Sequence, residues 1–195
     1  MGNYKESIAI IIPALDPDER MVSLVGQLHD DGFSNIILVD DGSLIANRKY
    51  FKTCKETCHC KIIRHVVNFG KGIALKSAFN YILEQRPDIK GAVTVDCDGQ
   101  HVLTDINTCA KLTYEHPDSL ILGCRQFDDK EIPLRSRFGN KLTRQMIRLL
   151  CGIHVSDTQT GLRGLPTPLI REHFANVKGE RFEYEDCCEG IPDSN

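Results

Sequence analysis

Short, continuous apolar runs alternate with longer amphipathic segments along most of this chain. A continuous apolar run of four to six residues is typical of a strand buried on both faces, and an apolar stripe repeating every three to four residues predicts a helix. The predicted strands are 8–12, 36–39, 62–67, 92–95 and 120–123. The predicted helices lie between 17 and 30, between 44 and 57, and at 73–85, 103–114, 133–150 and 168–174. This alternation predicts βαβ units and a mostly parallel sheet flanked by helices.

Proline and acidic residues mark the end of the first predicted strand and the start of the first helix. Pro13 is expected to close the strand, because proline has no N–H to donate to a sheet. Asp16 is the predicted N-cap of the helix, with Pro17 in the first helical position. This first connection is therefore short.

Acidic residues follow the second and fourth predicted strands: Asp40, Asp41, Asp96 and Asp98. In open parallel sheets, ligands bind at the carboxyl ends of the strands. If the fourth strand continues through Asp96 and Asp98, the two side chains point the same way, because side chains alternate with period two. A pair of like charges needs a positive partner, and a hard divalent cation carrying a phosphate-bearing substrate meets that need. A solvated turn is the alternative, since Asp and Gly are common turn residues.

Length and composition indicate one globular domain. The 195 residues include 41% hydrophobic and 26% charged residues, and the net charge of -3 gives no reason to expect nucleic acid binding. No apolar stretch approaches the ~18 residues that span a membrane, and the N-terminus has no signal-peptide pattern. We expect a domain over 1–185, a tail over 186–195 that resembles a truncated end, and a cytoplasmic location.

The nine cysteines, an odd number, are predicted to be reduced thiols in a chain without an export signal. A zinc site is the alternative for Cys54, Cys58 and Cys60 with His59 and His65. That group lacks a C-x-x-C pair and a second pair of ligands to complete a zinc site, so these residues are preferably interpreted as one face of a helix.

Two common nucleotide-binding motifs are absent from the sequence. Ala14, Leu15 and Asp16 follow the first strand where a G-x-G-x-x-G fingerprint would begin, and no G-x-x-x-x-G-K-[ST] loop occurs. A nucleotidyltransferase, which also places acids after strands, would need a Gly-rich basic loop at the same point. An acid after the second strand can accept hydrogen bonds from a ribose or base, and an acid pair after the fourth can hold a metal that bridges a diphosphate. These features predict a nucleotide-diphosphate pocket.

Six motifs in order carry a resemblance to a known family. They are Ile12-Pro13-Ala14, Val39-Asp40-Asp41-Gly42-Ser43, Asn68-x-Gly70-Lys71-Gly72, Asp96-x-Asp98-Gly99-Gln100-His101, Gly123-x-Arg125 and Asp157-x-x-Thr160-Gly161-x-Arg163. The series resembles the family 2 glycosyltransferases and is most similar to the dolichyl- and polyprenyl-phosphate sugar transferases. The match extends from residue 7 to about residue 185.

The resemblance implies a GT-A fold, which is a Rossmann-like, mostly parallel α/β sheet flanked by helices. It implies a UDP- or GDP-sugar donor, Mg²⁺ or Mn²⁺, and inversion at the sugar carbon. The expected reaction transfers a hexose to polyprenyl or dolichyl phosphate, with peripheral contact to the cytoplasmic membrane face. The alternatives are a family 2 enzyme acting on a saccharide hydroxyl, and a nucleotide-binding domain without turnover.

The resemblance also assigns roles to individual residues. The donor-side residues are Pro13, Asp40, Asp41, Lys71 and Asp96. Asp98 is the expected metal ligand and a catalytic residue, with Gln100 as a second ligand. An ordinary exposed lysine at a helix start is the alternative for Lys71.

Three arginines match basic positions that the family keeps for the acceptor phosphate: Arg125, Arg135 and Arg137. Arg125 is also assigned a catalytic role. Asp157 is the candidate general base, and its alternative roles are to orient Arg163 or the donor sugar. The first motif departs from the family, which usually has an aromatic residue and Asn-Glu after the proline, and Asp16 or Glu19 is the expected substitute.

Overall fold

The computed structural model describes residues 3–123 and 161–176. The strands are β1 (Ile8–Ala14), β2 (Ile36–Asp41), β3 (Lys61–His65), β4 (Gly91–Thr94), β5 (Ile121–Leu122) and β6 (Arg163–Pro166). The helices are α1 (Tyr4–Ser7), α2 (Glu19–Asp30), α3 (Arg48–Cys58), α4 (Lys71–Gln85), α5 (Leu103–Glu115) and α6 (Thr167–Asn176), with a 3₁₀ turn at Ile45–Asn47 before α3. The predicted helix 133–150 lies outside the described residues.

The six strands form one sheet in the order β3-β2-β1-β4-β6-β5. The pairs β1–β2, β1–β4 and β2–β3 are parallel, whereas β6 is antiparallel to both β4 and β5. The prediction of a mostly parallel sheet flanked by helices is confirmed. The antiparallel strand β6 was not predicted, because its four residues, two of them Gly and Pro, form no recognisable apolar run.

Helices cover both faces of the sheet and bury two apolar layers. On one face α2, α3 and α5 pack their apolar residues, among them Leu28, Phe51 and Ile106, against the even-numbered positions of β1 and β2. On the other face α4 and α6 contribute Phe79 and Ile170 to a second layer. Every residue of β1 is buried, as expected of a central strand covered on both sides.

The first strand does not end at Pro13, so that prediction is wrong. Pro13 lies inside β1 and pairs in register with Val39 of β2. Because the carbonyl of Ile11 accepts from Val95 N on the other side, the backbone nitrogen of Pro13 also faces the β4 side. There β4 has already ended at Thr94, so the missing N–H removes little from the ladder.

The prediction that Asp16 is the N-cap of α2 is wrong, because the N-cap is Asp18. The Asp18 side chain accepts a hydrogen bond from Arg20 N at 2.9 Å. Asp16 instead has a left-handed backbone (φ 50°), and its Oδ1 accepts from Leu44 N at 2.8 Å and Asn47 Nδ2 at 3.0 Å. It therefore ties the β1–α2 loop to the β2–α3 loop.

Within residues 3–123 and 161–176, no helix is long and apolar enough to cross a membrane. The division into a domain over 1–185 and a tail over 186–195 stays a prediction, since the tail lies outside the described residues.

Candidate active site

A cavity of about 550 Å³ opens at the carboxyl edge of the sheet, above β1, β2 and β4. Its lining comes from the strand ends and from the start of α4: Pro13, Ala14, Leu15, Asp41, Asn68, Gly70, Lys71, Ala74, Asp96, Cys97 and Asp98. The cavity thus lies where the sequence analysis placed the ligand, at the strand ends that carry the acids.

Asp40, the first of two acids at the end of β2, does not line this cavity. Its side chain is fully buried, and its Oδ2 accepts from Arg64 Nε at 2.7 Å. Its Oδ1 accepts from Ser43 N at 2.9 Å. A buried carboxylate needs such partners, so Asp40 fixes the turn after β2 to the edge strand β3.

Asp41 points to the opposite face and lines the cavity. Its Oδ1 contacts His65 Nδ1 at 2.7 Å and accepts from Phe69 N at 3.0 Å, and its Oδ2 accepts from Gly70 N at 2.8 Å. Within the described residues these bonds leave one acceptor position on Oδ2. Asp41 therefore holds the β3–α4 loop in place and retains one position for a ligand N–H or O–H.

His65 links Asp41 to helix α4. Its second ring nitrogen, Nε2, lies 2.9 Å from Ser77 Oγ. The imidazole is thus held at both nitrogens, by a carboxylate and by a hydroxyl, and its ring edge is fixed. The chain Ser77–His65–Asp41 sets the orientation of the Asp41 carboxylate toward the cavity.

The turn after β2 packs tightly on the β3–α4 loop. Gly42 has a left-handed backbone (φ 82°), and a Cβ there would overlap the backbone of Val67 and Asn68. Glycine is required at this position for both reasons. The Asp41 side of the cavity wall is therefore formed by two loops in direct contact.

Asp96 lies on the opposite wall, two residues after the end of β4. His101 Nε2 lies 3.7 Å from its Oδ2, and Lys71 Nζ lies 2.8 Å from its Oδ1. The imidazole of His101 and the ammonium of Lys71 hold the pKa of the Asp96 carboxyl well below its usual range, against the opposing effect of burial. Asp96 is therefore ionised, and Lys71 supplies the positive partner that the sequence argument assigned to a metal.

Asp98 also lines the cavity, but not through strand alternation. The expectation that Asp96 and Asp98 project from one continuous strand is wrong, because β4 ends at Thr94. Asp98 sits in a turn completed by Gly99 (φ 73°), and its Oδ1 accepts from Gln100 N at 3.0 Å. The tight turn brings the second carboxylate back to the same cavity as the first.

The charges around Asp98 differ from those around Asp96. Arg20 Nη2 lies 2.9 Å from Asp18 Oδ2. The pKa of the Arg20 guanidinium is raised mainly by Asp18 and to a smaller extent by Asp98. Burial raises the pKa of the Cys97 thiol, and the two flanking carboxylates raise it further. The thiol between the two acids is therefore neutral near pH 7.

Gly161 fits directly against Asp96. A Cβ on Gly161 would overlap the Asp96 carboxyl group, and the Gly161 carbonyl accepts a hydrogen bond from Thr94 Oγ1 at 2.9 Å. The segment before β6 is thus fastened to the end of β4. This contact brings the sixth motif, of which Gly161 and Arg163 are described, to the wall that carries Asp96 and Asp98.

The described part of the cavity fits a divalent metal bound together with a phosphate ligand. Asp98 offers a hard oxygen ligand at the cavity wall, but no group of three or more His, Cys, Asp or Glu side chains in the described residues could hold a metal alone. Mg²⁺ is commonly held by one or two carboxylates plus substrate phosphates, so this donor set suits a metal that arrives with a diphosphate.

Several predicted site residues meet here. Pro13, Asp41, Lys71, Asp96 and Asp98 line one cavity. Asp40 is buried and does not line the cavity, and Gln100 is exposed on the turn that follows Asp98. Arg125, Arg135, Arg137 and Asp157 lie outside the described residues, so their roles stay predictions.

The contact of His65 with Asp41 was not predicted, because His65 was considered only for a zinc site. The signal was present in the strand register. Asp40 lies beside Arg64 and Asp41 beside His65 in the parallel pair β2–β3. Two acidic residues opposite two basic residues at the ends of neighbouring strands indicate cross-strand ion pairs.

Comparison with known proteins gives the family. The chain matches the profile of glycosyl transferase family 2 over residues 10–174. It is 30% identical over 182 residues to an uncharacterized protein of Methanocaldococcus jannaschii, covering 92% of this chain and 72% of that one. It is also 30% identical over 200 residues to the UDP-N-acetylglucosamine–dolichyl-phosphate N-acetylglucosaminyltransferase of Methanococcus voltae, covering 94% and 78%.

A solved structure shares the fold. Glucosyl-3-phosphoglycerate synthase of Mycobacterium tuberculosis, crystallised with Mn²⁺, UDP-glucose and phosphoglyceric acid, superposes with a TM-score of 0.59 at 17% identity. The match covers 84% of this chain and 57% of that one, so the chain spans little more than half of that structure's length. The predicted GT-A fold is confirmed. The chain belongs to glycosyl transferase family 2 and is a glycosyltransferase.

Proposed function

We propose that this enzyme transfers a hexose from a UDP- or GDP-sugar to polyprenyl phosphate. The observation that carries the proposal is the meeting of Asp41, Lys71, Asp96 and Asp98 around one cavity of about 550 Å³. The relative from Methanococcus voltae, whose name gives dolichyl phosphate as its acceptor, supports the choice of a lipid phosphate.

The nucleoside is proposed to lie against the Pro13 and Asp41 wall. Asp41 has an acceptor position for a base N–H or a hydroxyl, and His65 fixes the carboxylate that offers it. Hydrogen bonds to a pre-oriented acceptor cost little ordering on binding. The preference between uracil and guanine would depend on this wall.

The diphosphate is proposed to lie between the start of α4 and the Asp98 turn. Gly70 and Lys71 begin α4 at the cavity wall, where the backbone N–H groups of a helix N-terminus favour an anion. Lys71, already 2.8 Å from Asp96, adds a positive side chain there. Asp98, with Gln100, would hold Mg²⁺ or Mn²⁺, and the bound metal would neutralise the leaving diphosphate.

The acceptor phosphate can attack without a strong base. A phosphate monoester has a second pKa of about 6, so its oxygens are mostly deprotonated at neutral pH. One of them forms the new bond to the anomeric carbon as the bond to the nucleoside diphosphate breaks, with inversion. The protein's part is then to align the reactants, with Arg125, Arg135 and Arg137 proposed to bind the acceptor phosphate.

Turnover with a defined acceptor tests the proposal. The 195-residue chain is incubated with polyprenyl phosphate, Mg²⁺ or Mn²⁺ and a panel of UDP- and GDP-sugars, and release of UDP or GDP is measured. We expect release with one nucleotide class that depends on the lipid. Metal-dependent nucleotide binding in calorimetry without any transfer would support the alternative of a non-catalytic domain.

Asp157→Asn separates the two acceptor classes. A saccharide hydroxyl needs a general base, so its glycosylation should fall by about 10²-fold or more if Asp157 supplies that base. Transfer to a phosphate should fall far less. A large loss with polyprenyl phosphate would contradict base-free attack.

A further inference from the structure

A second concavity, the basic groove, lies between α3 and the edge strand β3. It has a volume of about 510 Å³. Its lining is almost wholly cationic: Arg48, Lys49, Lys52, Lys55 and Arg64, with Ile62 at its base. Such a concentration of one sign contrasts with the net charge of -3 for the whole chain.

The acids that contact the basic groove do not balance it. Glu56 lies 3.7 Å from Lys52, and Asp40 lies 2.7 Å from Arg64. Within residues 3–123 and 161–176, five cations thus face two contacting carboxylates, so this part of the surface carries a net positive charge. Arg48, Lys52 and Lys55 follow i, i+4 and i+7 spacing, which places them on one side of α3 next to its buried face.

An apolar rim borders one end of the basic groove. It consists of exposed residues from two loops: Leu44, Ile45, Val66, Val67 and Phe69. Ile45 is 81% and Val66 is 88% exposed. Exposed apolar residues grouped in this way usually mark a contact surface, whereas scattered ones do not.

The two loops of the rim meet at the carboxyl edge of the sheet. Ile45 begins the 3₁₀ turn that leads into α3, and Val66 immediately follows β3, so both lie at the same end of the groove. The tight fit of Gly42 on Val67 holds the loops together. Leu15, exposed at the same edge, lines the cavity of the active site.

We propose that the basic groove and the apolar rim form a docking surface for an anionic membrane. Lys and Arg side chains would lie at the level of the lipid headgroups, and the rim would enter the headgroup boundary. Amphipathic surfaces that bind membranes combine these two features. A cationic groove alone would suit many polyanions, but four of the five rim residues are aliphatic and offer no ring for base stacking, so the rim favours a membrane.

This inference deepens the proposed function and rests on it for its purpose. An acceptor that is a lipid phosphate presents its headgroup at the membrane surface. Docking by the rim would bring the edge that carries the active-site cavity to that surface. The physical contact itself can be tested without any transfer reaction.

Vesicle co-sedimentation of the full chain tests the docking surface. Vesicles of phosphatidylcholine alone are compared with vesicles that also contain phosphatidylglycerol. We expect binding to the anionic vesicles that weakens with salt, because each basic residue near the surface contributes about a fivefold increase in partitioning. The double variant K52E/K55E should lower partitioning at least about tenfold, and L44S/I45S should lower it as well.

The matched control is K90E/K111E. It makes the same change in charge with two exposed lysines away from the basic groove, Lys90 just before β4 and Lys111 near the end of α5. Thermal unfolding of each variant verifies that the fold is kept, since all substituted residues are exposed.

Three outcomes would overturn the docking surface. The first is no binding of the unmodified chain to anionic vesicles, as would follow if another part of the chain covers the rim. The second is a loss of vesicle binding in K52E/K55E that is no larger than the loss in K90E/K111E. The third is unchanged binding in L44S/I45S, which would make the groove a general polyanion site. Nucleotide release with a short, water-soluble polyprenyl phosphate keeps the transferase proposal separate, since K52E/K55E should retain it.

Discussion

Asp40 and Asp41 at the end of β2, and Asp96 and Asp98 after β4, reach the same edge of the sheet with different surroundings. The first pair accepts bonds from Arg64, His65 and backbone N–H groups of its own loops. Asp98 accepts one hydrogen bond among the described residues, from Gln100 N in its own turn. Two acid pairs that look alike in the sequence are thus engaged to different degrees.

The difference separates a scaffold from a reactive wall. Asp40 and Asp41 are engaged mainly by the protein itself, so they hold loops in place and contribute to stability, and Asp41 keeps one acceptor position for the nucleoside. A carboxylate with acceptor capacity left, next to the ion pair of Lys71 and Asp96, can take part in ligand and metal binding. We therefore expect substitutions after β4 to affect transfer and substitutions after β2 to affect folding and nucleotide affinity.

The largest effect is expected for Asp98→Asn. Loss of the charge that would hold the metal and balance the diphosphate should reduce kcat by about 10²-fold or more, with the melting temperature nearly unchanged. Steady-state release of nucleoside diphosphate measures it. Asp118→Asn, an exposed acid after α5, is the control and should behave as the unmodified enzyme.

Asp40→Asn should instead act on stability. The amide cannot match the ionic contact with Arg64, and Asp40 is fully buried, so we expect a loss of about 2 kcal/mol in the free energy of unfolding. Denaturant unfolding measures this loss. A stable Asp40→Asn variant with a hundredfold lower kcat would contradict the proposed difference between the acids of β2 and the acids that follow β4.

His65 can be tested by two substitutions that each keep one of its contacts. The amide nitrogen of His65→Asn can replace Nδ1 and donate to Asp41, whereas that of His65→Gln reaches the position of Nε2 near Ser77. We expect His65→Asn to bind nucleotide nearly as well as the unmodified chain, and His65→Gln to bind about tenfold more weakly.

Calorimetry with UDP and GDP measures both affinities, and thermal unfolding accompanies it. Each variant loses one hydrogen bond, so their melting temperatures should be similar. Equal affinities for the two variants would show that His65 is structural and does not orient Asp41.

The smallest effect is expected for the pH dependence of the stability that Asp96 contributes. Because its pKa is lowered in the folded state, Asp96 stabilises the fold above the ordinary carboxyl pKa of about 3.9, and this contribution is lost as the pH falls below that value. The stability difference between Asp96→Asn and the unmodified chain should stay constant near neutral pH and shrink in acid. Because Asp96 is partly exposed, we expect this difference in the free energy of unfolding to be no more than about 1 kcal/mol. Urea unfolding at a series of pH values measures it. A difference that grows in acid would contradict the lowered pKa.

The sheet and most of its helices could be predicted because buried strands and helix stripes are local patterns. The apolar run of 36–39 and the stripe of Met21, Leu24, Val25 and Leu28 each produced the expected element. The position of the cavity followed from the rule that parallel strands end at one edge. Family resemblance then supplied the roles that geometry alone does not.

Other features depended on contacts between distant residues. Asp16 appeared to be a helix cap, but its bonds to Leu44 and Asn47 decide its conformation. The separate uses of Asp40 and Asp41 follow from the β2–β3 register, which local patterns do not give. β6 pairs with β4 some 70 positions earlier in the chain, and two of its four residues are Gly and Pro, so no local pattern identified it.

The contact between Gly161 and Asp96 has a consequence for how this chain can change over time. Any side chain added at position 161 would occupy the space of the Asp96 carboxyl group. A larger residue at position 161 is therefore acceptable only with a smaller side chain at position 96, or with a shift of the segment that leads into β6. The size of the residue at position 161 is thus limited by a side chain 65 positions away in the sequence.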